Sequence, residues 1–308
     1  MDELNGQMNG LNVQPRKPLS LTSIKDLLAD EQKTLRTKWQ GSIRDAFVAM
    51  MFLHSQHPDE CITLSQALGQ LQVGHEITET MSWYDVSLVW VGNKLHFPAQ
   101  NRDAFIEKAK RCSARFLLTM LVLVAPSRKY MHANFVIWDN TQEKVERYET
   151  YGTTPPVYAT GDGNLDRALT QAAVEIWSPR SGLVLPMLPK MSGIQEIQED
   201  EVGVRSREDP VGFCVAHSTL YAHVRIMNRM LPSTAIPGLM LKLMNEYESD
   251  MTMFIRLFSN RVRKEDDKLR AMGVESIPEG YVDSLLSGAN AGGKTSQSLR
   301  ILENGLIV

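Results

Sequence analysis

The chain has 308 residues and a formal net charge of −3, from 33 Lys and Arg against 36 Asp and Glu. That balance excludes the broad basic field on which nucleic-acid binding depends. With 43% hydrophobic and 22% charged residues it is composed like a globular protein, and its longest apolar run, Phe116 to Ala125, is about half a membrane-spanning helix.

Residues 1–20 are polar and carry Gly, Asn and Pro. Their opening, MDELNGQMNG, is too acidic for a signal peptide, so the segment reads as a loose tail. Residues 21–84 read as a helical region. In IRDAFVAMMFL the apolar Ile43, Phe47, Met50 and Met51 share one helical face, and TLSQALGQL reads as a short helix capped by Thr63. From residue 85 the period shortens. VSLVWV and KLHF flank Gly92-Asn93, a hairpin signal. RDAFIEKAKRC is helical, and three strands follow: FLLTMLVLV, NFVIWD and VERYET, the last two joined by the turn DNTQEK. GNLDRALTQAAVEIW restores helical spacing, with Leu165, Leu169, Ala172 and Ile176 on one face, and GLVLPML reads as a short strand. IQEIQEDEVGVRSREDP is charged without a period and reads as an exposed loop. After Gly212 the chain is helical through FCVAHSTLYAHVRIMNRML and again through GLMLKLMNEYESDMTMFIRLFSNRV. Helices, then strands, then helices give an α+β fold whose core spans 85–286, with 287–308 as a flexible tail.

Two further sequence features bear on function and compartment. GANAGGKT, Gly288 to Thr295, matches the P-loop pattern G-x-x-x-x-G-K-[ST]. A P-loop requires a buried strand before it and a helix and further strands after it. Only thirteen residues follow Thr295, so the match reads as chance. The three cysteines, Cys61, Cys112 and Cys214, are sparse and odd in number and read as free thiols of a reducing, intracellular compartment. No Cys-x-x-Cys or His-rich cluster points to zinc.

The chemistry concentrates in HANFVIWDNTQEKVERYETYG and GFCVAHSTLYAHVR. His132 opens a strand, and Glu149 lies seventeen residues later on the returning strand of a tight hairpin, near the same level. Adjacent strands sit roughly 4.8 Å apart. A carboxylate there can accept the imidazole N–H and orient the ring, as the third member of a triad does. Asp139 and Glu146 are alternative acids. Asn134, two residues on, shares the strand face of His132. Cys214 stands where a Gly-containing turn meets a helix. The positive end of the helix dipole favours a thiolate there, and the free N–H groups of the first turn can hold an oxyanion. His217, one turn along, is a rival base, although its side chain points back along the helix.

The order and spacing of these residues resemble the papain-like cysteine peptidase family of the adenovirus maturation protease and the SUMO-deconjugating proteases. More narrowly, H-x-N, ERYETYG, GIQ and D-P-x-G-F-C are similar to uncharacterised predicted proteases of large DNA viruses. The resemblance covers about residues 85 to 230. It implies a mixed or antiparallel sheet flanked by helices, with the nucleophile at the start of a long helix. It also implies a cysteine endopeptidase with catalytic His132, Glu149 and Cys214, and Gln195 as the oxyanion partner. Asn134, Gly212 and Phe213 would line the cleft. No metal or organic cofactor would be needed. The partner implied is a protein substrate, viral structural proteins among the candidates, with no nucleic acid and no membrane, and packaging in a virion as one location.

The chain departs from the family pattern at three positions. Ala133 follows the His where many members have Trp, and Val215 follows the Cys where many have Gly. Glu208 stands where the oxyanion Gln usually lies, so Gln195 requires the charged stretch 196–211 as an insertion, expected to border the cleft; Gln198 is the other nearby glutamine. These departures suit the alternative reading, an inactive peptidase-fold scaffold for virion structure or assembly. Family members cut after small Gly-containing sequences, because a narrow cleft admits residues without a Cβ. ANAGG-KTSQ would then be a cleavage site between Gly293 and Lys294; otherwise it is a plain linker.

Overall fold

The structure, a computed structural model, describes residues 21–29, 41, 43–63, 87–98, 101–124, 131–152, 164–177, 193–195, 197, 213–247 and 251–271. A six-stranded mixed sheet lies at its centre, in the order β3-β2-β4-β5-β6 with β1 beside β4. The strands are β1 (Cys61–Ile62), β2 (Ser87–Val91), β3 (Lys94–His96), β4 (Phe116–Val124), β5 (Met131–Asp139) and β6 (Lys144–Tyr148). β1 and β2 run parallel to β4, and the other pairings are antiparallel. The helices are α1 (Leu21–Leu28), α2 (Ile43–Gln56), α3 (Arg102–Arg111), α4 (Asn164–Trp177), α5 (Phe213–Met227), α6 (Ile236–Glu246) and α7 (Met251–Ala271). The fold is α+β, as the order of elements predicts.

Residue chemistry explains the strands. The apolar run Phe116 to Val124 is buried along its whole length, which fits a central strand covered on both faces. At the β2–β3 turn Gly92 and Asn93 both take positive φ, 55° and 60°, the conformation that a two-residue hairpin turn demands. One sheet face carries Leu121, Leu123, Val136 and Trp138 and packs on α3 and α4. The other carries Phe116, Met120, Ala133, Phe135 and Ile137 and packs on α1, α2, α5, α6 and α7.

α2 differs from expectation in one respect. Its sequence suggests one apolar face, yet every residue from Asp45 to Leu53 is buried. α5 and α7 both pack against it, so it is an interior helix and its polar Asp45 is paired with Arg263. Among the described residues no helix is long and apolar enough to cross a membrane.

The expectation of three free thiols is corrected: Cys61 and Cys112 form a disulfide, and Cys214 is the free cysteine. The topology explains the pairing. β1 lies alongside Leu117 at the start of β4, and α3 ends just before β4, so both cysteines reach the same edge with Cα atoms 6.1 Å apart. A second correction concerns IQEIQEDEV. Its beginning is not an open loop but a helical turn, with the Ile197 N–H donating to the Gly193 carbonyl and Ile194 fully buried. The expected helix after Thr63, the strand GLVLPML, the cleft loop beyond Ile197, and the tail with GANAGGKT all fall outside the described residues.

α5 lies along β5 and is tied to the sheet near both of its ends. Near its C-terminal end the buried Arg225 guanidinium makes a two-pronged ion pair with Glu146, both contacts 2.9 Å, and approaches Asp139 at 3.5 Å. Asp139 is also paired with Arg115 at 2.9 Å. Arg115 and Arg225 each lie over the Phe116 ring, 4.9 and 4.8 Å from its centroid. This network fixes the helix at the hairpin end of β5.

Candidate active site

The β5–β6 hairpin determines which side chains meet. Its turn is braced by the Asp139 carboxylate, which accepts the N–H groups of Thr141 and Gln142. The ladder pairs Asp139 with Lys144 and ends with Phe135 opposite Tyr148. One residue past that last pair, Glu149 Oε1 meets His132 Nε2 at 2.5 Å. The carboxylate has further donors. Oε1 accepts the Tyr151 N–H at 3.1 Å, Oε2 accepts Asn134 Nδ2 at 3.0 Å, and the Arg147 guanidinium stands 3.6 Å away.

Charge follows from this geometry. Burial pushes the His132 pKa down, but the Glu149 charge and hydrogen bonds with Cys214 and Glu149 outweigh it, raising it to about 10. Burial pushes Glu149 up, and His132, Arg147 and the Tyr151 N–H more than offset that, holding it below the usual carboxylate range. The pair is therefore imidazolium and carboxylate at neutral pH.

Cys214 reaches the same place from the other side. It is the second residue of α5. Ala133 precedes the β5–β6 ladder, so β6 supplies no partner for its backbone. α5 supplies both instead: the Ala133 N–H donates to Cys214 Sγ at 3.4 Å, and Ser218 Oγ donates to the Ala133 carbonyl at 3.2 Å. Residues four apart share a helix face, so one turn of α5 docks on one strand residue. The His132 ring lies near enough to Cys214 for the sulfur to help raise its pKa. With Nε2 on Glu149, Nδ1 is the ring atom left for the sulfur. The sulfur, the imidazole and the carboxylate thus form one chain, with His132 3% exposed and Cys214 8% exposed.

Gln195 is brought to the adjacent turn. Its backbone N–H donates to the Thr150 carbonyl at 3.1 Å, Thr150 Oγ1 donates to its Oε1 at 2.8 Å, and its Nε2 donates to the Tyr151 hydroxyl at 3.0 Å. Thr150 Oγ1 also lies 3.5 Å from His132 Nε2. Gly193 makes this approach possible: a Cβ there would stand 2.0 Å from the Thr150 carbonyl oxygen.

Asn134, expected at the cleft, is fully buried and has both ends of its amide bound within the protein. Phe213 belongs to the core. Gly212, Gly293 and Lys294 lie outside the described residues. His217, the rival base, is fully buried, and burial lowers its pKa to about 3. Asp139 and Glu146, the alternative acids, are occupied by Arg115 and Arg225. Sequence reasoning missed Thr150, Tyr151 and Arg147. All three border Glu149, so the stretch RYETY was the available signal. Among the described residues, no group of three or more His, Cys, Asp or Glu is placed to hold a metal ion.

No family model matches the chain, and no curated protein sequence matches it. Two solved structures are similar. One is Chlamydia trachomatis effector protein ChlaDUB1, at 11% identity and a TM-score of 0.39, covering 85% of this chain and 99% of that one. The other is Chlamydia trachomatis effector protein Cdu1 bound to ubiquitin, at 10% identity and a TM-score of 0.38, covering 79% of this chain and 98% of that one. At such scores neither likeness says what this chain does.

Proposed function

We propose that the chain is a cysteine endopeptidase with Cys214 as nucleophile, His132 as general acid and base, and Glu149 as the group that orients and charges the imidazole. The observation that supports this best is the continuous contact from Glu149 through His132 to Cys214 at the start of a helix. The nucleophilic form of a cysteine is its thiolate, and the proposed reaction proceeds from that form. The thiolate attacks the substrate carbonyl carbon and the C=O electrons move to oxygen. The Cys214 backbone N–H and the Gln195 amide donate to that oxyanion. Thr150 Oγ1 donates to the oxygen of the Gln195 amide and the Tyr151 hydroxyl accepts from its Nε2, contacts that fix which way the amide faces. His132 gives its proton to the leaving amine, the C–N bond breaks, and a thioester remains. Neutral His132 then takes a proton from water as the hydroxide oxygen adds to the thioester. Collapse releases the acid, and the proton returns to the Cys214–His132 pair.

The deep placement of the sulfur supports a substrate that is slender at the cut, with Gly-containing sequences as the first class to test. These include ubiquitin-like precursors, viral structural precursors and the chain's own Gly293–Lys294 bond. The test combines labelling and cleavage. Without reductant, iodoacetamide should label only Cys214, and His132→Ala should slow that labelling greatly. Full-length protein should cleave a Gly-Gly precursor, or shorten its own mass, while Cys214→Ala does neither. Slow labelling that ignores His132, with no cleavage, would overturn the reading in favour of a scaffold.

A further inference from the structure

The geometry assigns Asn134 and Arg147 as positioning residues that hold the Glu149 carboxylate toward His132, in a relay anchored on Asp166 of α4. This deepens the proposed function and rests on reading His132, Glu149 and Cys214 as a triad.

The argument begins with the orientation of one amide. Asn134 has an acceptor end and a donor end, and the carboxylate next to it only accepts. Arg147 only donates, and its Nη1 lies 2.7 Å from Asn134 Oδ1. That contact fixes the oxygen on the arginine side, so Nδ2 must face Glu149, where it meets Oε2 at 3.0 Å. A reversed amide would set oxygen against carboxylate and N–H₂ against guanidinium. Arg147 is itself held by the Asp166 carboxylate, 3.1 Å from its Nε. Asp166 sits in the first turn of α4, where its charge also suits the helix dipole.

The relay gives Glu149 a defined rotamer. With Oε2 on Asn134, Oε1 is left for His132 and the Tyr151 N–H. Removing Asn134 leaves Oε2 with the Arg147 guanidinium at 3.6 Å, too long for a hydrogen bond. The carboxylate can then rotate toward Arg147 and away from the imidazole. Asn134 is fully buried, so it reaches no substrate and acts only through Glu149. The strand period that puts residue 134 on the face of His132 also puts Arg147 in reach across the hairpin.

The test reads the His132–Glu149 hydrogen bond directly. An imidazole N–H held by a buried carboxylate gives a far-downfield proton resonance, assigned here by its loss in His132→Gln. The full-length wild type, Asn134→Ala, Arg147→Met and Asp166→Asn are compared at neutral pH, with circular dichroism confirming the fold. Asn134→Ala and Arg147→Met should lose the resonance or move it upfield. Their kcat on a cleaved substrate should fall about tenfold or more, the scale of a lost hydrogen bond to a charged group, with KM little changed. Asp166→Asn lies at the more exposed end of the relay and should give a smaller change of the same kind. Where Asn134→Ala does not fold, Arg147→Met and Asp166→Asn carry the test. An unshifted resonance in every folded variant would overturn the relay. The resonance does not depend on turnover, so a protein that cleaves nothing but responds as described would overturn the peptidase reading and leave the relay standing.

Discussion

Glu149→Gln replaces a carboxylate with an amide of nearly the same shape, so the structure gives its cost from donors and acceptors alone. Three N–H donors converge on Glu149: His132 Nε2, the Tyr151 N–H and Asn134 Nδ2. A glutamine offers one acceptor oxygen. If that oxygen serves His132 and Tyr151, its N–H₂ group faces the N–H₂ of Asn134. If it is reversed, its N–H₂ opposes the imidazole and forces the wrong tautomer. Either arrangement buries a donor without an acceptor, a cost of about 1–3 kcal/mol. The mutant also loses the charge that stabilises the imidazolium, and rate losses of about 10⁴-fold accompany the wrong tautomer in a triad. We expect kcat to fall by about 10³-fold or more. Stability should show a pH signature as well. The raised pKa of His132 contributes stability that is complete below its ordinary value of 6.5 and is lost as pH rises toward about 10. The lowered pKa of Glu149 contributes stability that is complete above its ordinary value of 4.5 and is lost as pH falls through the native value. The wild type should therefore exceed Glu149→Gln most between pH 4.5 and 6.5, with the gap narrowing on both sides. Urea titrations followed by tryptophan fluorescence across pH 3–11, roughly the span of the two titrations, measure this, beside kcat on a peptide substrate. A variant with near-normal kcat and a stability gap that does not vary with pH would refute the reasoning.

Two other substitutions test neighbouring parts. Gly193→Ala should push the Ile194–Gln195 turn off Thr150, since its Cβ would stand 2.0 Å from a backbone oxygen; kcat should drop while the thermal midpoint falls only modestly, and unchanged kcat would remove Gln195 from the site. Arg225→Met leaves the buried Glu146 and Asp139 short of a cation and should cost about 3–5 kcal/mol in urea unfolding; a loss below about 1 kcal/mol, the scale of a surface pair, would show that the network is not a true buried one.

Much of this arrangement was legible in the sequence where local rules act. Gly92-Asn93 marked a tight hairpin because only such residues accept two successive positive φ values. The seventeen residues from His132 to Glu149 foretold their meeting because strand rise and turn length fix it. What local rules do not carry was hidden. The Cys61–Cys112 bridge depends on β1 lying beside β4, a contact across fifty-one positions that spacing does not announce. Asn134 had the right face, but its contacts were not legible, since they depend on which end of its amide Arg147 takes. α2 displayed one apolar stripe, and only the packing of α5 and α7 against it explains why its remaining sides are buried too.

The anchoring of α5 at both ends makes the helix a ruler. Cys214 and Arg225 are eleven residues apart, about three turns of helix, so both point at the sheet. Their partners, Ala133 and the Glu146–Asp139 pair, are spaced by β5 at a strand's much longer rise per residue. Two scales with different graduations coincide at both marks. A single inserted residue between Cys214 and Arg225 would turn one anchor about 100° from its partner, whatever its chemistry. Repacking can soften a change of side chain in α5, but it cannot restore an anchor that a change of length has turned away. The chain should therefore tolerate no insertion or deletion in this helix.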